Sequence, residues 1–136
     1  MCIATPASGQ MRADPENPEQ VAQGKGLYEQ YCASCHGANL EGEANWRRRK
    51  PNGRLPAPPH DRSGHTWHHT DSQIFEVTKR GVKPPLVSER YQSDMDGFAE
   101  KLRDAEIWAI IAYIKSRWPQ DIRERQPGTT KNQPQQ

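Results

Sequence analysis

The sequence predicts an all-α domain with long loops between its helices. Three observations carry that prediction. Capping signals open helix-periodic segments at Asn17 and at Thr70. The apolar stretch at residues 107–114 suits a buried helix and is far too short to span a membrane. No segment alternates apolar and polar residues with the period of two that marks a half-buried strand.

Residues 1–16 are rich in Pro, Ala, Ser and Gly and read as a disordered arm. Asn17 then supplies a cap, Pro18 suits the first helical position, and Gln20 stands three residues after the cap, as in a capping box. Val21, Gly24, Tyr28 and Tyr31 recur at helical spacing, so a helix over residues 18–33 delivers Cys32, Cys35 and His36 at its end. Residues 37–66 show no periodicity. They hold a basic cluster, Arg47-Arg48-Arg49-Lys50, and a proline-rich stretch at 51–59. A loop this long usually has something to wrap or bind.

Thr70 caps a second helix, with Gln73 three residues on; it continues through Ile74, Phe75 and Val77 and stops at Gly81. Pro84 and Pro85 force an extended segment after it. The last helix covers residues 104–117. Asp104 and Glu106 sit in its first turn and Lys115 and Arg117 in its last, as the helix dipole favours. Pro119 ends it. The organisation is an arm at 1–16, one domain at 17–119 and a flexible tail at 120–136.

Only 32% of the 136 residues are hydrophobic, and the mean hydropathy is −1.08. A chain this polar closes only a small core of its own, because apolar burial must offset the entropy of ordering. A large apolar cofactor would supply part of the core. Nineteen basic against 17 acidic side chains leave a net charge of +2, which does not point to nucleic acid. The cysteines, Cys2, Cys32 and Cys35, are odd in number and not spaced as a disulfide scaffold. Cys2, ahead of a polar arm, suits a lipid tether; the plainer reading is a free cysteine. No apolar targeting segment is read, so an exported form would already have lost one.

Cys32-Ala33-Ser34-Cys35-His36 is the c-type haem attachment signature. Two thiols at this spacing add to the two vinyl groups of one haem, and the next histidine reaches the iron from one face. A thioredoxin-like redox pair would need a strand and a βαβ context that the sequence lacks. A zinc site would need further ligands, for which the histidines at 60–69 compete. The second iron ligand is expected downstream, on a loop before the last helix. Met1 and Met11 lie in the arm, which leaves Met95. Aspartates flank it on both sides, unlike a core methionine, and its soft thioether suits low-spin iron.

With these residues the chain resembles the class I cytochrome c family, in its small bacterial monohaem form. The resemblance covers about residues 17–119. It implies a cytochrome c fold, in which the N- and C-terminal helices cross over a covalently bound haem. Gly24 would permit the close approach, with Tyr28 packed on Ile110 and Tyr113. The family usually follows its ligand methionine with proline, where this chain has Asp96 and Gly97. It also has a proline whose carbonyl accepts a hydrogen bond from the proximal histidine; Pro56, Pro58 and Pro59 compete for that role, with Pro56 or Pro58 favoured.

The segment at 60–69 holds His60, His65, His68, His69 and Trp67 and resembles a segment of one subset of bacterial monohaem cytochromes. Three roles are open to it: hydrogen bonds to haem propionates, a copper or zinc site, or a histidine replacing Met95 on the iron. The Trp67 indole N–H and Arg62 are the leading propionate partners. The basic cluster reads as a solvated face, with the steering of an acidic partner as the alternative.

The resemblance implies one-electron transfer by a His36/Met95-ligated haem c and no enzymatic activity. The expected setting is the bacterial periplasm. The expected partners are redox proteins such as a quinol-oxidising complex, a terminal oxidase or a dehydrogenase. The competing reading is a haem enzyme subunit or ligand-binding sensor with a displaceable Met95. A third is metal handling through the histidine-rich loop.

Overall fold

The computed structural model describes residues 11–82 and 95–127. Cys2, Pro84, Pro85 and residues 128–136 lie outside the described residues. Among the described residues five α-helices follow in order: α1 (Pro18–Tyr31), α2 (Ala33–His36), α3 (Asp71–Arg80), α4 (Asp104–Ser116) and α5 (Gln120–Arg125), with a 3-10 turn (Thr66–His68) before α3. Among the described residues there is no strand, only an isolated bridge between Gly81 and Asp96.

Asn17 caps α1 as its sequence position predicts, its side-chain oxygen accepting from Glu19 N at 3.1 Å and Gln20 N at 3.2 Å. The helix stops at Tyr31, two residues short of expectation, because Cys32 leaves the helical geometry (φ −119°) and a separate turn, α2, begins. Thr70 and Gln73 form a reciprocal capping box on α3, and Gly81 closes that helix with φ of 90°. At α4 the Arg103 N–H donates to Glu106 Oε1 at 2.9 Å. That bond holds the Glu106 carboxyl below its ordinary pKa.

α1 packs directly on α4. A Cβ added at Gly24 would lie 1.8 Å from the Ala109 carbonyl oxygen, so the two backbones touch there. Beside that contact, the Tyr28 and Tyr113 rings tilt together with centroids 5.4 Å apart. Tyr28, Ile107 and Ile111 are wholly enclosed, and burial of each such side chain contributes about 1.5–3 kcal/mol. α3 joins the same core through Phe75, stacked on Trp108 at 4.4 Å, and through a Lys79–Asp104 ion pair at 3.0 Å.

The structure moves both domain boundaries outward. The arm was expected to be disordered through residue 16, yet Ala13 is buried in the core. Gln20 is the cause. Its side chain does not close a capping box but reaches back, accepting from Asp14 N at 2.7 Å and donating to the Arg12 carbonyl at 2.7 Å. Likewise the tail is not loose from 120: α5 buries Ile122, and Gln126 is 0% exposed. Gln126 Nε2 donates to the His69 carbonyl at 3.0 Å and to Asp71 Oδ1 at 2.8 Å, while Lys115 holds the other Asp71 oxygen at 2.9 Å.

Candidate functional site

The site grows out of the end of α1. His36 N donates to the Cys32 carbonyl at 2.9 Å and Gly37 N to the Ala33 carbonyl at 2.9 Å. That single turn carries Cys32, Cys35 and His36 together. The Tyr28 hydroxyl donates to the Gly37 carbonyl at 2.7 Å, which fastens the turn to the α1–α4 core. Both cysteines are free thiols, Cys32 half-buried and Cys35 exposed.

Burial, then the neighbouring Cys35, pushes the Cys32 thiol up to about 12. Such a thiol is protonated at neutral pH. Redox-active cysteine pairs depend on a depressed thiol pKa, so this environment is opposite to the one the thioredoxin-like reading requires. Among the described residues no group of three or more His, Cys, Asp or Glu side chains converges to hold a metal ion.

His36 is buried. Its Nδ1 lies 2.8 Å from the Pro58 carbonyl oxygen. A carbonyl only accepts, so Nδ1 carries the proton and Nε2 keeps a bare lone pair. Burial lowers the His36 pKa; the bond to Pro58, and to a lesser extent Glu43, opposes the shift. The result is a neutral imidazole with a fixed tautomer, the form a metal ligand needs. Of the competing prolines, Pro58 is thus the one whose carbonyl meets His36. Pro56 instead lines a shallow cavity beside Arg48 and Lys50.

Pro58 is itself held. Glu43 N donates to the Ala57 carbonyl at 2.9 Å and Ala57 N returns a bond to the Glu43 carboxylate at 2.5 Å. Gly42 N donates to the His36 carbonyl at 2.6 Å. The unpatterned loop is therefore pinched closed beside the ligand.

His60 is the residue the sequence reading did not place. Its ring packs on the His36 ring with centroids 4.0 Å apart. His60 Nδ1 meets the Thr66 hydroxyl at 2.6 Å, and that hydroxyl reaches the Pro59 carbonyl at 3.4 Å. The hydroxyl has one proton, so it donates to Pro59 and accepts from His60. His60 N donates to the Leu40 carbonyl, and the Trp118 indole N–H donates to the His60 carbonyl at 2.6 Å. Burial first, and His36 second, holds the His60 pKa well below its ordinary value. The sequence signalled it only as one of four histidines in the 60–69 segment, without marking its contact with His36.

Trp67 and Arg62 are placed together. The Trp67 indole N–H donates to the Arg62 carbonyl at 3.1 Å and its ring stacks on His68 at 3.9 Å. The Arg62 side chain is exposed. Met95 is half-buried, on a segment zipped to the end of α3. Val82 N donates to the Met95 carbonyl at 3.3 Å, Phe98 N to Thr78 at 3.0 Å and Ala99 N to Lys79 at 3.1 Å. A Cβ at Gly97 would lie 2.5 Å from the Lys79 carbonyl, so the glycine permits this zip.

An all-helical frame with a Cys-x-x-Cys-His turn at the end of its first long helix defines a c-type cytochrome. The family model described as cytochrome c matches residues 21–118, a span containing both cysteines, His36 and Met95, and the chain belongs to that family. No curated protein and no solved structure matches the chain. Members of the family are generally electron carriers and not enzymes, and membership implies a covalently bound c-type haem and a redox role. The residues here fit that group: two free thiols and a neutral, tautomer-fixed imidazole share one turn. Among the described residues no helix is long and apolar enough to cross a membrane.

Proposed function

We propose that this chain is a monohaem electron carrier of the bacterial periplasm, in which Cys32 and Cys35 would be the attachment thiols and His36 and Met95 would hold the iron. One observation carries the reading: the Pro58 carbonyl accepts from His36 Nδ1 at 2.8 Å, which would leave the Nε2 lone pair for the haem iron. The haem, once attached, supplies a one-electron iron couple.

The chain's own residues do the rest. Cys32 and Cys35 fix the cofactor to the end of α1. His36 would enter from a turn fastened by the Tyr28 hydroxyl, with its ring oriented by the Pro58 carbonyl. Pro58 strengthens the imidazole as a donor. Met95 offers a soft sulfur, which with histidine favours a raised reduction potential. Covalent attachment supports a setting on the oxidising side of a membrane. Partners would then be a quinol-oxidising complex, a terminal oxidase or a periplasmic dehydrogenase.

Denaturing mass spectrometry of the purified protein tests the attachment. The expected result is the chain mass plus one haem, with stable attachment lost when Cys32 and Cys35 are both replaced by alanine. Carbon monoxide tests the second ligand: little or slow binding to the reduced protein is expected. Fast, complete binding would favour a ligand sensor instead.

A further inference from the structure

We propose that the loop at residues 46–54 is a docking surface for an acidic face of a partner protein, linked to His36 through Ala57 and Pro58. Its purpose rests on the electron-carrier reading; its existence does not.

Arg47, Arg48, Arg49, Lys50 and Arg54 place five cations within eight residues, and no acid occurs from Ala44 to His60. Against a whole-chain charge of +2, these five leave the remaining residues at −3. The loop is therefore the densest run of positive charge in the sequence. Arg47, Arg48, Arg49 and Arg54 are all exposed.

The loop is built and not merely basic. Arg48 N donates to the Asn45 carbonyl at 2.9 Å, Lys50 N to Arg54 at 2.8 Å, and Gly53 N to Lys50 at 2.8 Å. Arg49 Nη1 donates to the Gly53 carbonyl at 2.7 Å, and the Arg47 guanidinium lies 4.7 Å above the Trp46 ring. Cations ordered before contact lose less freedom on binding. Arg48, Arg49 and Lys50 line a shallow cavity of about 430 Å³ with Glu43 and Pro56. Glu43 is ion-paired with Lys50 there at 3.8 Å, so the face offered to an incoming carboxylate is that of the exposed Arg47, Arg48 and Arg49.

The position links the surface to the site. The loop closes at Glu43 and Ala57, which bond to each other, and Ala57 precedes the proline that holds His36. A partner seated here would be linked to His36 through Ala57 and Pro58. A lipid surface fits less well. The loop's one aromatic, Trp46, is half-buried, with His65 against it at 5.3 Å and Arg47 over its face.

The test uses the reduced holoprotein and the variant Arg47→Glu/Arg48→Glu/Arg49→Glu. Hexacyanoferrate(III) accepts one electron as an anionic oxidant, and tris(phenanthroline)cobalt(III) accepts one as a cationic oxidant. At low ionic strength the native chain should react with the anion about tenfold faster than the variant, an advantage erased by salt, and the order should reverse for the cation. Equal rates for the two proteins would overturn the proposal. A second readout needs no electron transfer: poly-L-glutamate should shift the amide resonances of residues 45–54, and the variant should lose those shifts. Shifts elsewhere, or unchanged in the variant, would overturn it, as would tighter binding to phosphatidylglycerol vesicles than to poly-L-glutamate at equal salt. Amide shifts without electron exchange would reject the carrier reading and keep the docking surface.

Discussion

His36 is held between two regions built on different physics. On one side is the α1–α4 contact, where Gly24 meets Ala109 and Tyr28 packs on Tyr113. On the other is the loop at 37–60, where single polar bonds place Pro58 and His60. Apolar close packing is cooperative, so the first region fails as a whole. Directed hydrogen bonds are separable, so the second loosens one contact at a time. A cofactor ligand thus gains its place from the frame and its orientation from the loop.

The largest test of that contrast is Gly24→Val. Its side chain would collide with the Ala109 carbonyl, and overpacking of this kind costs roughly 3 kcal/mol or more where backbone cannot give. Loss of the thermal transition, or a steep drop in its midpoint, is expected; an unchanged midpoint would break the contrast. Trp118→Phe strikes the loop instead. It deletes the donor to the His60 carbonyl, at 2.6 Å, and leaves a small void, for a loss of about 2 kcal/mol. Helix content by circular dichroism should persist in the variant.

Acid titration sharpens the same point. The His60 pKa is depressed in the folded chain, so the unfolded chain takes up the proton first as the pH falls. Stability should decline below about pH 6.5, by at most about 1.4 kcal/mol per pH unit for one group. Denaturant titrations between pH 7.5 and 5 would show it, and His60→Phe should flatten that part of the curve. Thr66→Val is the smallest change. It strips His60 Nδ1–H of its acceptor, costing about 1 kcal/mol, read from the denaturation midpoint.

The frame was far more legible in the sequence than the loop. α4 announced itself through eight consecutive residues of apolar character, and α3 through the Thr70–Gln73 pair. Gly24 was legible because a mid-helix glycine wants a packing reason. The attachment turn was legible from its spacing. By contrast, choosing Pro58 over Pro56 depended on how Glu43 and Ala57 close the loop, which no local pattern encodes. His60 was hidden for the same reason: its role is a contact with a residue 24 positions away. Gln20 misled because a capping position and a tertiary hydrogen bond look alike in one dimension. α5 was missed because its burial rests on Ile122 amid charged residues and on Gln126.

The central claim is that His36 and Met95 together hold the iron. The most direct measurement is the absorption spectrum of the oxidised holoprotein, beside that of Met95→Ala. A weak far-red band from sulfur on ferric iron should be present in the native protein and absent in the variant. A native protein without that band, or a variant that keeps it, would contradict the account and turn attention to the histidines of the 60–69 loop.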